Sequence, residues 1–268
     1  MPLTLRSVDH GDLCHGSRWT ISDEDELARK VAYLALGHTR HVVKILSGLG
    51  VAKAPTIRDD AAKSASKLLT VPRGKDPWHR DGWIFQAISW IAAHRKEKGA
   101  IVRAPHAILA HKGFDGIQLR LDADGESVVA VVIFEDKATD NPRATVRDDV
   151  WDGIRKLEQG ERIPELIQET GALLEAHQTS FSNLDIDDAV EAIIWESARS
   201  YRVAITVSDT DDSDDGREKL FKGFDDVAPG DRNRRQAETL SLPDLRPWME
   251  QFAGKAIVHI ETWRKSRV

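Results

Sequence analysis

The chain has 268 residues, 38 Lys+Arg against 44 Asp+Glu for a formal net charge of -6, and is 41% hydrophobic and 31% charged. That balance excludes intrinsic disorder and a membrane-embedded chain, and the length admits one large domain rather than two full-size ones. A single cysteine, Cys14, excludes an internal disulfide framework, and an amino terminus without an apolar stretch leads us to expect a reducing, cytoplasmic compartment.

Residues 23–49 space Leu27, Val31, Leu34, Val42, Val43 and Ile45 along one side of a long helix, with Ser22 as N-cap and Gly48 and Gly50 as its stop. Residues 52–76 mix small and charged residues with Pro55, Pro72 and Gly74, which predicts a connector holding one short helix. A second strong helix is predicted over 81–98, apolar at Trp83, Ile84, Ala87, Ile88 and Ile91 and basic at its end. Next comes a hairpin turning at Asp124 and Gly125. Its first strand alternates, Ile117, Leu119 and Leu121 against Gln118 and Arg120. The second, 128–134, is apolar on both faces, as in a strand covered by helices on each side. Strands are also predicted at 201–208 and 256–260, and helices over 145–159, 163–177 and 187–200. The interleaving predicts an α/β core over residues 76–268, preceded by a helical accessory segment, residues 1–75.

No G-x-x-x-x-G-K-[ST] loop is present, so no ATPase activity is expected of this chain alone. His10, Cys14 and His15, or His38 and His41, do not complete a four-ligand zinc pattern. Asp211, Ser213, Asp215 and Gly216 imitate the start of a calcium loop, but Lys222 stands where a bidentate glutamate is required.

One constellation carries chemistry: Asp115 at the mouth of the first hairpin strand, and Glu135, Asp136 and Lys137 at the end of the second. A turn over 124–126 pairs Ala123 with Ser127 and so brings Asp115 opposite Glu135. Directly opposed strand residues have Cβ atoms roughly 4.5–5.5 Å apart, where two carboxylates repel unless a cation lies between them. Alternation puts Glu135 and Lys137 on the face of Asp115, whereas Asp136 points away and offers its backbone carbonyl. Two carboxylates and a carbonyl are hard oxygen ligands suited to Mg²⁺ or Mn²⁺, with an ammonium beside the attacking water. The same residues also read as a strand-end salt-bridge cluster in which Lys137 neutralises either carboxylate without a metal.

An Asp followed across a hairpin by E-x-K resembles the PD-(D/E)xK nuclease superfamily, and the resemblance spans roughly residues 80–160. It implies a restriction-endonuclease-like core, a central mixed β-sheet flanked by helices. It also implies a metal-dependent nuclease, here expected to act on DNA with Mg²⁺ or Mn²⁺, in which Asp115 and Glu135 bind the metal and Lys137 positions or activates the water. Phe114 replaces the family's proline, and Gln86 occupies the helix position where many members carry an acid. Gln86 is counted with the catalytic set, although a glutamine on an apolar helix also serves to bond backbone, and its neutrality weakens the case for a second metal. The type implied is an effector nuclease of bacterial antiviral defence that works beside a partner helicase or other ATPase. The alternative is a nucleic-acid-binding or regulatory subunit of the same fold without turnover. No membrane partner is implied, and oligomeric state stays open.

Because the chain is acidic overall, DNA must be held by local basic residues. Arg143 and Arg147 follow the constellation, and Lys222, Arg234 and Arg235 cluster further on; these five are the expected phosphate contacts.

Overall fold

The computed structural model describes residues 1–37, 54–97, 101–105, 113–122, 124, 127–177 and 198–266. The chain opens with an antiparallel hairpin, β1 (Leu3–Asp9) and β2 (His15–Ile21). Helix α1 (Glu24–Leu36) starts where the Asp23 carboxylate accepts from the Glu26 N–H, and ends at Gly37, whose φ of 53° suits a residue without a Cβ. Then come α2 (Ala54–Leu68), α3 (Trp78–Lys96), β3 (Ile101–Val102), β4 (Gly116–Leu121) and β5 (Val128–Lys137). A short α4 (Pro142–Thr145) leads through a π-helical turn, Val146–Val150, into α5 (Trp151–Glu158). The described chain continues with α6 (Ile163–His177), β6 (Arg199–Val207), α7 (Asp214–Phe221), α8 (Phe224–Val227), β7 (Arg235–Ser241) and α9 (Leu245–Lys265).

The strands form one seven-stranded mixed sheet in the order β1-β2-β7-β6-β5-β4-β3. Strands β2, β7, β6 and β5 run parallel, while β1 and the β4–β3 side are antiparallel to their neighbours. The chain is therefore α/β, with helices on both faces. Val131, Ile133, Val203 and Ile205 point toward a core shared with α5, α6, α7 and α8. On the opposite face, Trp19, Ala204 and Leu240 pack in one cluster with α1, α2, α3 and α9.

The first 75 residues are not helical alone. Strands β1 and β2 join the sheet through β7, and Leu3 and Trp19 share a buried cluster with Trp83 and Phe252. The strand expected at 256–260 is instead part of α9: Met249, Phe252, Ala253, Ala256 and Ile260 are buried at helical spacing, and Val258 is 63% exposed. Strand β7 was not expected, because its inward side chains are mostly polar. Of the long helix expected over 23–49, α1 is the described part; the rest, with His38 and His41, lies outside the described residues. So does most of the helix expected over 187–200, whose last two residues, Arg199 and Ser200, begin β6.

The acidic run after β6 serves the fold. Ser213 accepts from the Gly216 N–H at the start of α7, and Asp212 faces the guanidinium groups of Arg18 and Arg217. Cys14 is fully buried, and burial pushes its thiol up to about 12. Among the described residues no helix is long and apolar enough to cross a membrane.

Candidate active site

The register between β4 and β5 decides where the carboxylates meet. Gly116 pairs with Phe134, Ile117 with Ile133, and so on to Arg120 with Ala130; beyond that the pairing slips by one residue, to Leu121 with Val128. The slip is a β-bulge at the turn end of the hairpin, with Val129 left 54% exposed. A turn over 124–126 would set Leu121 opposite Val129; the pairing seen there is one residue short of that, and the extra residue in β5 takes up the difference, so that the site end carries the expected register. Gly116 is required there, since a Cβ would lie 2.7 Å from the Phe134 ring.

At that end Asp115 collects three donors. The Gln86 amide donates to its Oδ1 at 2.6 Å, the Asp136 N–H to its Oδ2 at 2.8 Å, and the Lys137 ammonium lies 3.4 Å from the same oxygen. Lys137 Nζ is also 3.0 Å from Glu135 Oε2. One ammonium thus faces both carboxylates at the carboxyl end of β5. Glu135 lies against α5 at Gly153, where a Cβ would stand 3.8 Å from Glu135 Oε1, in ordinary van der Waals contact. Burial raises the Glu135 pKa above the usual carboxylate range, and Asp115 adds to the shift, against the opposing pull of Lys137. Burial also opposes the Lys137 charge, but Glu135 and Asp115 outweigh it and hold that pKa above the ordinary lysine range.

Asp136 points to the other face, as strand alternation requires. Its buried carboxylate accepts from Ser89 at 2.7 Å, three residues along α3 from Gln86. Burial pushes Asp136 up to about 7, against the opposing charge of Arg202. Arg202 is itself buried, stacked 4.3 Å over Phe134, and donates to the Ser89 carbonyl. Helix α3 therefore holds the strand end at two points, Gln86 to Asp115 and Ser89 to Asp136. A third tie fixes its first turn: buried Asp81 accepts from Arg80 and Arg246, and Arg246 reaches Asp140 in the loop after β5.

The described residues contain no group of three or more His, Cys, Asp or Glu side chains that could hold a metal ion. The constellation supplies two carboxylates, with the Asp136 backbone carbonyl as a third oxygen. This donor set fits Mg²⁺, which is commonly held by one or two carboxylates and completes its shell with water and substrate phosphate.

The expected phosphate contacts divide. Arg235 is 4% exposed and donates to the carbonyls of Asp12, Leu13, Ala228 and Gly230. Arg234 is buried against Glu158 and the carbonyls of Arg199 and Pro229. Both are corrected to structural roles: their donors are spent inside the protein, where a phosphate does not reach. Arg143 is half-buried and donates to the carbonyls of Leu220 and Lys222. Only Arg147, forked onto Asp148, and Lys222 are exposed members of the set. Arg235→Ala should accordingly destabilise the fold by at least ~3 kcal/mol, since it strands several carbonyls at once. Chemical denaturation checks this; near-normal stability with a flatter salt dependence of DNA binding would restore the phosphate role.

Sequence reasoning did not find Ser89 or Arg162. Ser89 carried a signal, lying on the same face of α3 as Gln86. Arg162, at the start of α6, stacks 4.1 Å over the ring of Phe114, the residue before Asp115. The chain matches no family model and no curated protein.

Proposed function

We propose that the chain is a Mg²⁺- or Mn²⁺-dependent nuclease of the PD-(D/E)xK type that hydrolyses phosphodiester bonds of DNA. The observation that carries this reading is the convergence of Asp115, Glu135 and Lys137 at one strand end, with the ammonium within 3.4 Å of both carboxylates and the Asp136 N–H orienting the first of them. A bound divalent cation would supply charge for the phosphate and lower the pKa of water. Asp115 and Glu135 would hold that cation, with Gln86 and the Asp136 N–H keeping Asp115 turned toward it. Lys137 would orient the attacking water and stabilise negative charge developing on the phosphate. In the reaction the water oxygen bonds to phosphorus, the ester P–O bond breaks, water gives up a proton, and the leaving oxygen takes one.

One observation favours a plainer reading, a cluster that only clips the hairpin to the strand end: Lys137 already offers charge to both carboxylates. The test is incubation of the purified chain with duplex DNA, single-stranded DNA and RNA, in Mg²⁺, Mn²⁺ or EDTA. Cleavage of DNA in metal and none in EDTA is expected. Intact substrates under every condition, with DNA still bound, would replace the proposal with a binding subunit that lacks turnover.

A further inference from the structure

We infer that Arg162 is the side chain that grips the phosphate being cleaved, an inference that rests on the nuclease reading above. Phosphate recognition asks for a cation held beside the catalytic carboxylates, with its geometry set before substrate arrives and at least one donor uncommitted.

Among the arginines near the site, most fail that requirement. Arg103 spends its two amino groups on Glu169 and the Phe114 carbonyl, and Arg143 is tied to two carbonyls of the chain. Arg202 is buried on the other face of the sheet, beside Ser89. Arg162 meets it. Its guanidinium carbon sits over the buried Phe114 ring, 4.1 Å from the ring centre, and its Nε and Nη2 fork onto Glu165 at 2.9 and 2.8 Å. The fork onto Glu165 and the ring contact together hold the group in place, so little freedom remains to be lost on binding. Its Nη1 makes no hydrogen bond to the described residues, and the side chain is 27% exposed. It also lies within electrostatic reach of Glu135, on which it acts as a positive charge.

Phe114 links the parts. It stands where the nuclease pattern has proline, and here its ring is the platform that carries Arg162 to the residue next in sequence, Asp115. The substrate class this selects is a phosphodiester whose non-bridging oxygen can meet a planar donor beside the metal ligands.

The test compares Arg162→Ala and Arg162→Lys in the full chain, with Glu135→Gln as reference. Single-turnover cleavage at saturating DNA should fall about 100-fold in Arg162→Ala, with partial recovery in Arg162→Lys, which restores charge but not the planar fork. Melting temperature should fall only slightly, because a half-buried i,i+3 pair and one contact of a cation with a ring each contribute little. A second measurement needs no turnover: in the Glu135→Gln background, adding Arg162→Ala should reduce the log-log salt slope of DNA affinity by about one. An unchanged slope, or wild-type cleavage by Arg162→Ala while Glu135→Gln is inert, overturns the role of Arg162 and leaves the nuclease reading standing. Wild-type cleavage by Glu135→Gln removes the nuclease reading itself.

Discussion

Glu135→Gln should abolish metal-dependent cleavage while the melting temperature holds or rises; Asp115→Asn should abolish it too, at a lower melting temperature, because the Asp115 carboxylate accepts from Gln86, the Asp136 N–H and Lys137. Each change removes a charge at almost constant volume, and with it a ligand for the cation. The loss should exceed the ~10²–10³-fold that follows removal of a single transition-state hydrogen bond. The stability half of the expectation follows from burial. The folded-state pKa of Glu135 is raised, so its ionisation at neutral pH costs folding free energy, and a neutral glutamine escapes that cost. Asp115 still pairs with Lys137 in the Glu135→Gln variant. Thermal melts and single-turnover assays on the same preparations check both halves. A variant that melts early and cleaves normally would mark the cluster as a structural clip.

Lys137→Ala should separate the two roles of the ammonium. Without it, Asp115 and Glu135 are left as like charges at 19% and 12% exposure. In EDTA the variant should therefore lose about 1–3 kcal/mol, less than for a fully buried pair because Lys137 is 30% exposed. Adding Mg²⁺ should raise its melting temperature more than that of wild type, since a cation bound to the folded state would offset the two carboxylate charges that Lys137 no longer balances. Cleavage should stay depressed by ~10²–10³-fold even in saturating metal, because what is gone acts mainly on the transition state. Melts in EDTA and in Mg²⁺, beside single-turnover rates, check this. Recovery of the rate together with the melting temperature would reduce Lys137 to a counter-charge.

Strand β5 could be read in sequence because it is apolar on both faces and ends abruptly in Glu135, Asp136 and Lys137. The register at the site agrees with the expected one by a different route: the turn end is paired one residue off, with the Asp122 N–H donating to the Ser127 carbonyl, and the bulge restores the offset. The bulge near Leu121 was not legible: an extra residue inverts the alternation, but residues 128–134 are apolar throughout, so the inversion leaves no mark in the sequence. Strands β1 and β2 were missed since their outward positions are polar and few of their residues enter the core. Strand β7 hid better still. Its inward residues include Arg235, Gln236, Glu238 and Thr239, whose burial is compensated by groups distant in the chain, such as the Leu13 carbonyl and the Lys96 ammonium. The same non-local compensation misled the reading of Arg234 and Arg235, where charge suggested surface and the fold supplied carbonyls. Residues 256–260 satisfy both a period of two and a period near 3.6, and only the full length of α9 decides between them. At the site, Asp115, Glu135, Lys137 and Gln86 were legible and do come together. Arg162 was not, because its relevance depends on a ring contact between α6 and the residue before Asp115.

The proposed chemistry is tested most directly by the single-turnover rate of cleavage of labelled duplex DNA as Mg²⁺ is titrated from EDTA to saturation, for wild type and Glu135→Gln side by side. A metal-dependent hydrolase at this site gives a wild-type rate that rises from zero and saturates, with no cleavage by the variant at any concentration. Cleavage by wild type in EDTA, or an identical metal titration in Glu135→Gln, would contradict it.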